Sequence, residues 1–174
     1  MTTSLPEPWL RGPVSDVPSL LQPAAHAFIM SREDVDTATL GLTIDQLWNE
    51  PGGIASIGFH LAHLAGSTDR LLTYARGETL SDAQRQTLAR ERTLSTDRPA
   101  LADLLAAWQE MVGKALNQLA STPDAALLQP RFVGRQQLPS TVLGLMFHAA
   151  EHAARHTGQV VTTAKLIRGL VPRS

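Results

Sequence analysis

Six histidines occur in this chain of 174 residues, and five of them fall in two short stretches. His60 and His63 lie in IGFHLAHLAG; His148, His152 and His156 lie in MFHAAEHAARHTGQ. Both stretches read as apolar helix faces, and a buried polar ring there needs a partner. Neutral imidazole is the commonest protein ligand for transition metals. The chain has no cysteine, so a metal at these histidines is held by nitrogen and oxygen.

Helix geometry limits which rings can share one ion. His152 and His156, four residues apart, are separated by about 6 Å along a helix and about 40° around it, so they can converge. The same holds for His148 and His152. His148 and His156 are about 12 Å apart along the axis and do not share an ion, which leaves one of them a supporting role. His60 and His63 differ by about 60° around the axis, so only one points squarely inward. Ser56, His63, Ser67 and Arg70 lie nearly in one line on a helical wheel. Two ligands from one helix and one from another is the natural construction of a metal site between packed helices. Three imidazoles leave coordination positions open, as catalytic sites do.

A lone histidine on an apolar stripe is ordinarily a satisfied core residue, and His26 is read that way. Three histidines at four-residue spacing, with two more on a second stretch, favour ligation. A competing motif, His148-Ala-Ala-Glu151-His152, matches the H-x-x-E-H protease signature with Glu151 as general base. That signature calls for a further carboxylate ligand downstream and a second large domain, and the sequence supplies neither. Glu151 sits about 100° from His152 and is expected at a helix interface or in solvent. No glycine-rich phosphate loop or G-x-S-x-G elbow occurs; Gly52-Gly53 reads as a turn at a helix start. Gln159, one turn past His156, is placed to orient a ligand. Arg70 is placed to meet an anionic substrate group, the alternative being a salt bridge with Glu151. Trp9, Trp48 and Trp108 read as packing anchors.

Proline spacing outlines the elements that must carry these residues, because proline breaks helix interiors and is tolerated at their starts. The four long helices predicted run from about Ser19 to Leu40, Gly53 to Arg76, Pro99 to Ala120 and Ser140 to Arg168. The first has a stripe of Leu21, Ala25, Phe28, Ile29 and Val35. The third repeats Leu101, Leu104, Leu105, Trp108, Val112, Leu116 and Leu119 at helical spacing, with Thr96 or Asp97 as its expected cap. A shorter helix, about Asp82 to Arg92, starts at a capping-box pair, Ser81 and Gln84. No strand is predicted; residues 131–135 read as a turn or a short extended piece. The fold class expected is all-α: a four-helix bundle with a long connection, containing the short extra helix, between helices 2 and 3. Residues 1–18 read as an extended segment, 19–169 as the bundle and 170–174 as a tail. The ending LVPRS resembles part of a thrombin-cleavage linker, so Pro172 to Ser174 carry no weight.

With 15 basic and 16 acidic residues the charge is balanced, and no basic patch marks a nucleic-acid or membrane-surface partner. No apolar run is long enough for a membrane span. The first residues lack the pattern of a signal peptide, and the absence of cysteine suits a reducing compartment; a cytoplasmic location is expected.

Taken together, GFHLAHLA from Gly58 to Ala65 and HAARHTGQ from His152 to Gln159 resemble the DinB-like (DinB/YfiT) superfamily, over about Leu20 to Gly169. In that family an inward histidine of the second helix joins an H-x-x-x-H pair on the last. By matched position the resemblance implies His63, His152 and His156 as ligands, with His60 and His148 in support. Thr157 stands where arginine is common. The resemblance also implies a four-helix bundle, a divalent ion such as zinc or nickel, and frequently a homodimer. Some members look like thiol-dependent transferases using bacillithiol, mycothiol or similar low-molecular-weight thiols; others resemble metal-dependent hydrolases. The family's DNA-damage label describes expression and implies no DNA binding. The function expected is a metal-dependent enzyme with a three-histidine site, an S-transferase acting on small electrophiles. The alternatives are a metal-dependent hydrolase and a metal- or ligand-binding bundle without chemistry.

Overall fold

The computed structural model describes residues 5–170. Among them the chain is mostly helical, with one small two-stranded sheet. Four long helices carry the core: α1 (Gln22–Thr39), α3 (Ile57–Ala75), α6 (Leu101–Ser121) and α7 (Val142–Leu170). Short helices α2 (Ile44–Leu47), α4 (Asp82–Arg90) and α5 (Leu94–Asp97) lie in the connections.

The long helices start where local chemistry allows. A 3-10 turn, Ser19–Leu21, leads into α1, and Pro23 occupies its first turn, where no amide hydrogen is missed. Ser56 caps α3 by accepting from the Phe59 amide at 3.2 Å. Gly53 belongs to a 3-10 turn, Pro51–Gly53, so α3 begins four residues later than glycine and proline placement suggests. The Ser81–Gln84 capping box of α4 is present in both directions. The expected cap of α6 is corrected: Thr96 and Asp97 lie in α5, and Ala100 stands at the N-cap without a side-chain bond.

Apolar stripes decide the packing. Leu21, Ala25, Phe28 and Val35 of the first stripe are wholly buried, as are Trp108, Val112 and Leu119 of α6. The Phe28 and Trp108 rings meet at 6.5 Å. Helix α7 packs on both α1 and α3, and α6 packs on the same two. Helix α1 runs parallel to α7, since Ser31 bonds Thr157 and the Ala38 carbonyl accepts from Arg168. Helix α3 runs antiparallel to α7, since His60 meets His156 and Ser67 meets His152. Helix α6 follows α3 in the same direction: Gly58 and Pro99 share Trp48 at one end, and Gln118 bonds Leu72 at the other. Two consecutive helices can run parallel only across a long connection, and α4 and α5 lie in it. Trp9 departs from its expected role as a packing anchor: it is 59% exposed, unlike Trp48 and Trp108.

An antiparallel hairpin, β1 (Pro130–Val133) with β2 (Leu138–Thr141), joins α6 to α7 where a turn or short extended piece was expected. Pro130 and Pro139 are tolerated because each strand of a two-stranded ribbon is an edge strand. Arg131 Nε donates to the Ala75 carbonyl at 2.7 Å and ties the hairpin to the end of α3. No helix is long and apolar enough to cross a membrane among the described residues.

Candidate metal centre

Helix α3 places His63 in its second turn, and α7 places His152 and His156 one turn apart at mid-length. Because the helices are antiparallel and closely packed, the three rings face one another. One nitrogen from each lies within 4.8 Å of the others. Ring centroids are 4.5 Å apart for His63–His156 and His152–His156, and 5.1 Å for His63–His152.

Each ring has its Nδ1 engaged by a neighbour. His63 Nδ1 donates to Glu91 Oε2 at 2.8 Å. Ser67 spends its hydroxyl proton on the His63 carbonyl at 2.5 Å, so its oxygen is left to accept from His152 Nδ1 at 3.3 Å. His156 Nδ1 pairs with His60 Nδ1 at 3.0 Å, and with His156 donating and His60 accepting the His156 Nε2 is bare. With Nδ1 occupied in all three, Nε2 is the nitrogen left for an ion. Outer partners of this kind fix the tautomer and orientation of metal-ligating histidines.

Electrostatics suit the same chemistry. Burial, reinforced by the neighbouring His63 ring, lowers the pKa of His152 and of His156 to about 4. Burial also lowers that of His60. His152, His156 and His60 are therefore neutral at neutral pH, the form that binds metal. At Glu91 burial pushes the carboxyl upward, but hydrogen bonds from His63 and Arg70 outweigh it and hold the group below its usual range. The donor set fits a divalent ion of the first transition row: three imidazoles, no thiolate, and second-atom partners already in place.

A family model described as the DinB superfamily matches residues 6–160. The chain belongs to the DinB superfamily. No curated protein matches it. Membership in the DinB superfamily and the three-histidine cluster together fit a metal-binding protein.

Beyond the three rings, the DinB superfamily chain places the other candidates as follows. His60 is buried, at 7% exposure, behind His156. His148 is exposed, 3.3 Å from Glu151, with its ring 5.7 Å from that of His152. Glu151 turns to solvent and pairs with Arg155, so it is not poised beside the rings as a protease base. Gln159 is exposed and makes no side-chain hydrogen bond among those described. Arg70, read as a contact for an anionic substrate group or else a bridge to Glu151, is buried and donates to Glu91 at 2.7 Å. His26 is half-buried and pairs with the Gly12 carbonyl at 3.0 Å.

Glu91 is the residue that sequence reasoning missed. It stands between Arg90 and Arg92 at the end of a polar helix, a context that reads as solvated surface. A weak signal existed in Gly66. A glycine inside a helix costs about 1 kcal/mol against alanine, so its presence points to a close approach. A cavity of about 790 Å³ lies near the far end of α3, lined by residues that include Tyr74, Leu88, Arg131 and Phe132. None of the clustered histidines lines it, so the chemistry and this cavity are separate.

Proposed function

We propose that this chain is a metal-dependent enzyme whose ion is held by His63, His152 and His156, and that it transfers a low-molecular-weight thiol to small electrophiles. The observation that carries the reading is the convergence of three imidazoles whose Nδ1 atoms are all otherwise engaged. The four long helices are read as a four-helix bundle built around that centre, with the α4–α5 stretch as its long connection. Residues 19–169 are read as the bundle unit and 1–18 as an N-terminal segment, of which the Pro8–Leu10 turn packs on α1. Zinc or nickel is the ion proposed and a homodimer the assembly, both on family resemblance; the cytoplasm is the compartment read from the absence of cysteine. No nucleic acid is among the proposed partners: 15 basic and 16 acidic residues balance, and no run of like charge occurs in the sequence.

A divalent ion kept at full charge by neutral ligands supplies Lewis acidity, which favours the deprotonated form of a thiol or water brought to it. The chain's own residues do the rest. Burial keeps His152 and His156 unprotonated, and His60 and Ser67 hold their rings in place. Phe59 lies nearly parallel to His63, with centroids 5.6 Å apart, and packs beside that ring. Gln159 and His148 stand exposed near the ends of the α7 ligand pair, where a substrate can reach them. Arg70 is given a supporting role, since its guanidinium is spent on Glu91.

Elemental analysis of protein purified with added zinc or nickel is the first test, with about one ion per chain expected. A panel of thiols and electrophiles follows, with turnover that His63→Ala abolishes while the fold is kept. Metal without turnover would shift the reading to a hydrolase or a metal-holding bundle; a hydrolase acts on esters or amides without added thiol. Stoichiometry near zero would overturn both.

A further inference from the structure

Glu91 reaches the centre from outside the two helices that carry the rings. One carboxylate oxygen accepts from His63 Nδ1 at 2.8 Å and the other from Arg70 Nη1 at 2.7 Å. Glu91 is 7% exposed and Arg70 8%, so neither is a solvated surface charge. Apolar packing beside Glu91 is slight: α4 buries no residue of its own, and Leu94 in α5 is only partly buried against the core. The space Glu91 fills depends on Gly66, which lies between His63 and Arg70 on α3. A Cβ at Gly66 would stand 2.6 Å from Glu91 Oε1 and 2.9 Å from Arg70 Nη1.

A plain ion pair that fastened α4 to α3 would need Arg70 alone. Here the second oxygen is aimed at a ring nitrogen of one of the three converging histidines. We infer that Glu91 is a positioning residue for the metal centre. Held by Arg70 in the gap that Gly66 leaves, it accepts the Nδ1 proton of His63 and so fixes that ring with Nε2 directed at the ion. An imidazole free in water prefers its proton on Nε2, the arrangement that blocks ligation; Glu91 reverses that preference before any ion arrives. The inference rests on the three-histidine reading of the site.

The test uses the full-length protein, wild type beside Glu91→Ala and Gly66→Ala. Nitrogen-15 spectra of the histidine rings, recorded without metal at pH 8, report the tautomer of His63. The wild type is expected as Nδ1–H, and both variants are expected to move toward Nε2–H. Cobalt(II) affinity, measured by chelator competition, is expected to fall 10- to 100-fold in both. Gly66→Ala removes no charge and no ligand and raises helix propensity, so its loss cannot come from a weakened helix. Thermal melts of the metal-free variants identify any that fail to fold. A folded variant that keeps the wild-type tautomer and cobalt affinity would overturn the inference. If the wild type bound no cobalt while the His63 tautomer still followed Glu91, the metal reading would fall and the positioning of His63 would stand.

Discussion

Metal-free protein is expected to lose stability between pH 7 and pH 5, with His152 and His156 as the main cause and His60, also lowered by burial, adding in the same direction. Burial first, and the neighbouring His63 ring second, hold both pKa values at about 4, against 6.5 for an unconstrained ring. As pH falls from 6.5, the unfolded chain takes up protons at these rings while the folded chain does not. Their contribution therefore drops across that window and is spent below about pH 4, where carboxylates held below their ordinary values, Glu33 and Glu91 among them, carry the further loss. The full difference is worth about 2 kcal/mol per ring between pH 7 and pH 5. Both rings are partly exposed, so solvent screening reduces the expected loss to about 1 kcal/mol each. The two together lower the melting temperature by roughly 4–8 °C for a chain of this size. Carboxylates intrude little, because their ordinary values of 4.5 for Glu and 3.8 for Asp lie below the window. Urea denaturation of chelator-treated protein at pH 7, 6 and 5 measures the slope. The double variant His152→Asn/His156→Asn is expected to lose most of it. A flat wild-type profile, or the same slope in the double variant, would refute the assignment to these rings.

Three further outcomes are expected. Zinc at a hundred times its dissociation constant adds about 2.7 kcal/mol, or roughly 5–11 °C in a thermal melt, and chelation reverses it; His152→Ala removes the response, and a wild type that does not respond counts against the metal reading. Gly58→Ala puts a Cβ 2.6 Å from the Trp48 indole, whose Nε1 is held by the Pro99 carbonyl at 3.1 Å. The overpacking costs about 1–3 kcal/mol in denaturant unfolding although alanine is the better helix former, and a stabilised variant would show that the indole yields freely. Trp108→Ala removes a wholly buried ring that meets Phe28 and costs about 3–5 kcal/mol; a loss under 1 kcal/mol would mean that the core around it collapses to fill the space.

The parts of the fold legible in the sequence are those in which a long period repeats. The stripes of α1 and α6 recur over several turns, and each recurrence repeats the same instruction about which face is buried. The convergence of His152 and His156 was legible for a similar reason: four-residue spacing on a helix puts two rings on one face wherever that helix goes. The hairpin was not legible, because four-residue strands carry too little alternation and Pro130 and Pro139 argue against a sheet. Arg70 reads first as a contact for an anionic substrate, with a bridge to Glu151 as the alternative; it pairs with an acid, but with Glu91. Glu151 finds Arg155 one turn away on its own helix, whereas Glu91 arrives from a connection whose path no local pattern records. Tertiary reach across a polar loop is the kind of information that periodicity lacks.

The three rings of the proposed centre are not equivalent, and the difference bears on how such a site would work. His63 leans on a carboxylate, the kind of charged partner that strengthens a ring as a metal ligand. His152 leans on a hydroxyl and His156 on a second imidazole, both uncharged partners. Burial further disfavours charge on these two α7 rings. The α3 side therefore supplies the strongest single donor, and the α7 side supplies two donors that take away little of an ion's positive charge. A site built wholly of carboxylate-backed rings would bind more tightly and act as a weaker Lewis acid. One backed ring and two neutral-backed rings is a compromise between holding an ion and leaving it reactive, and it depends on Glu91, a residue on neither of the helices that carry the ligands.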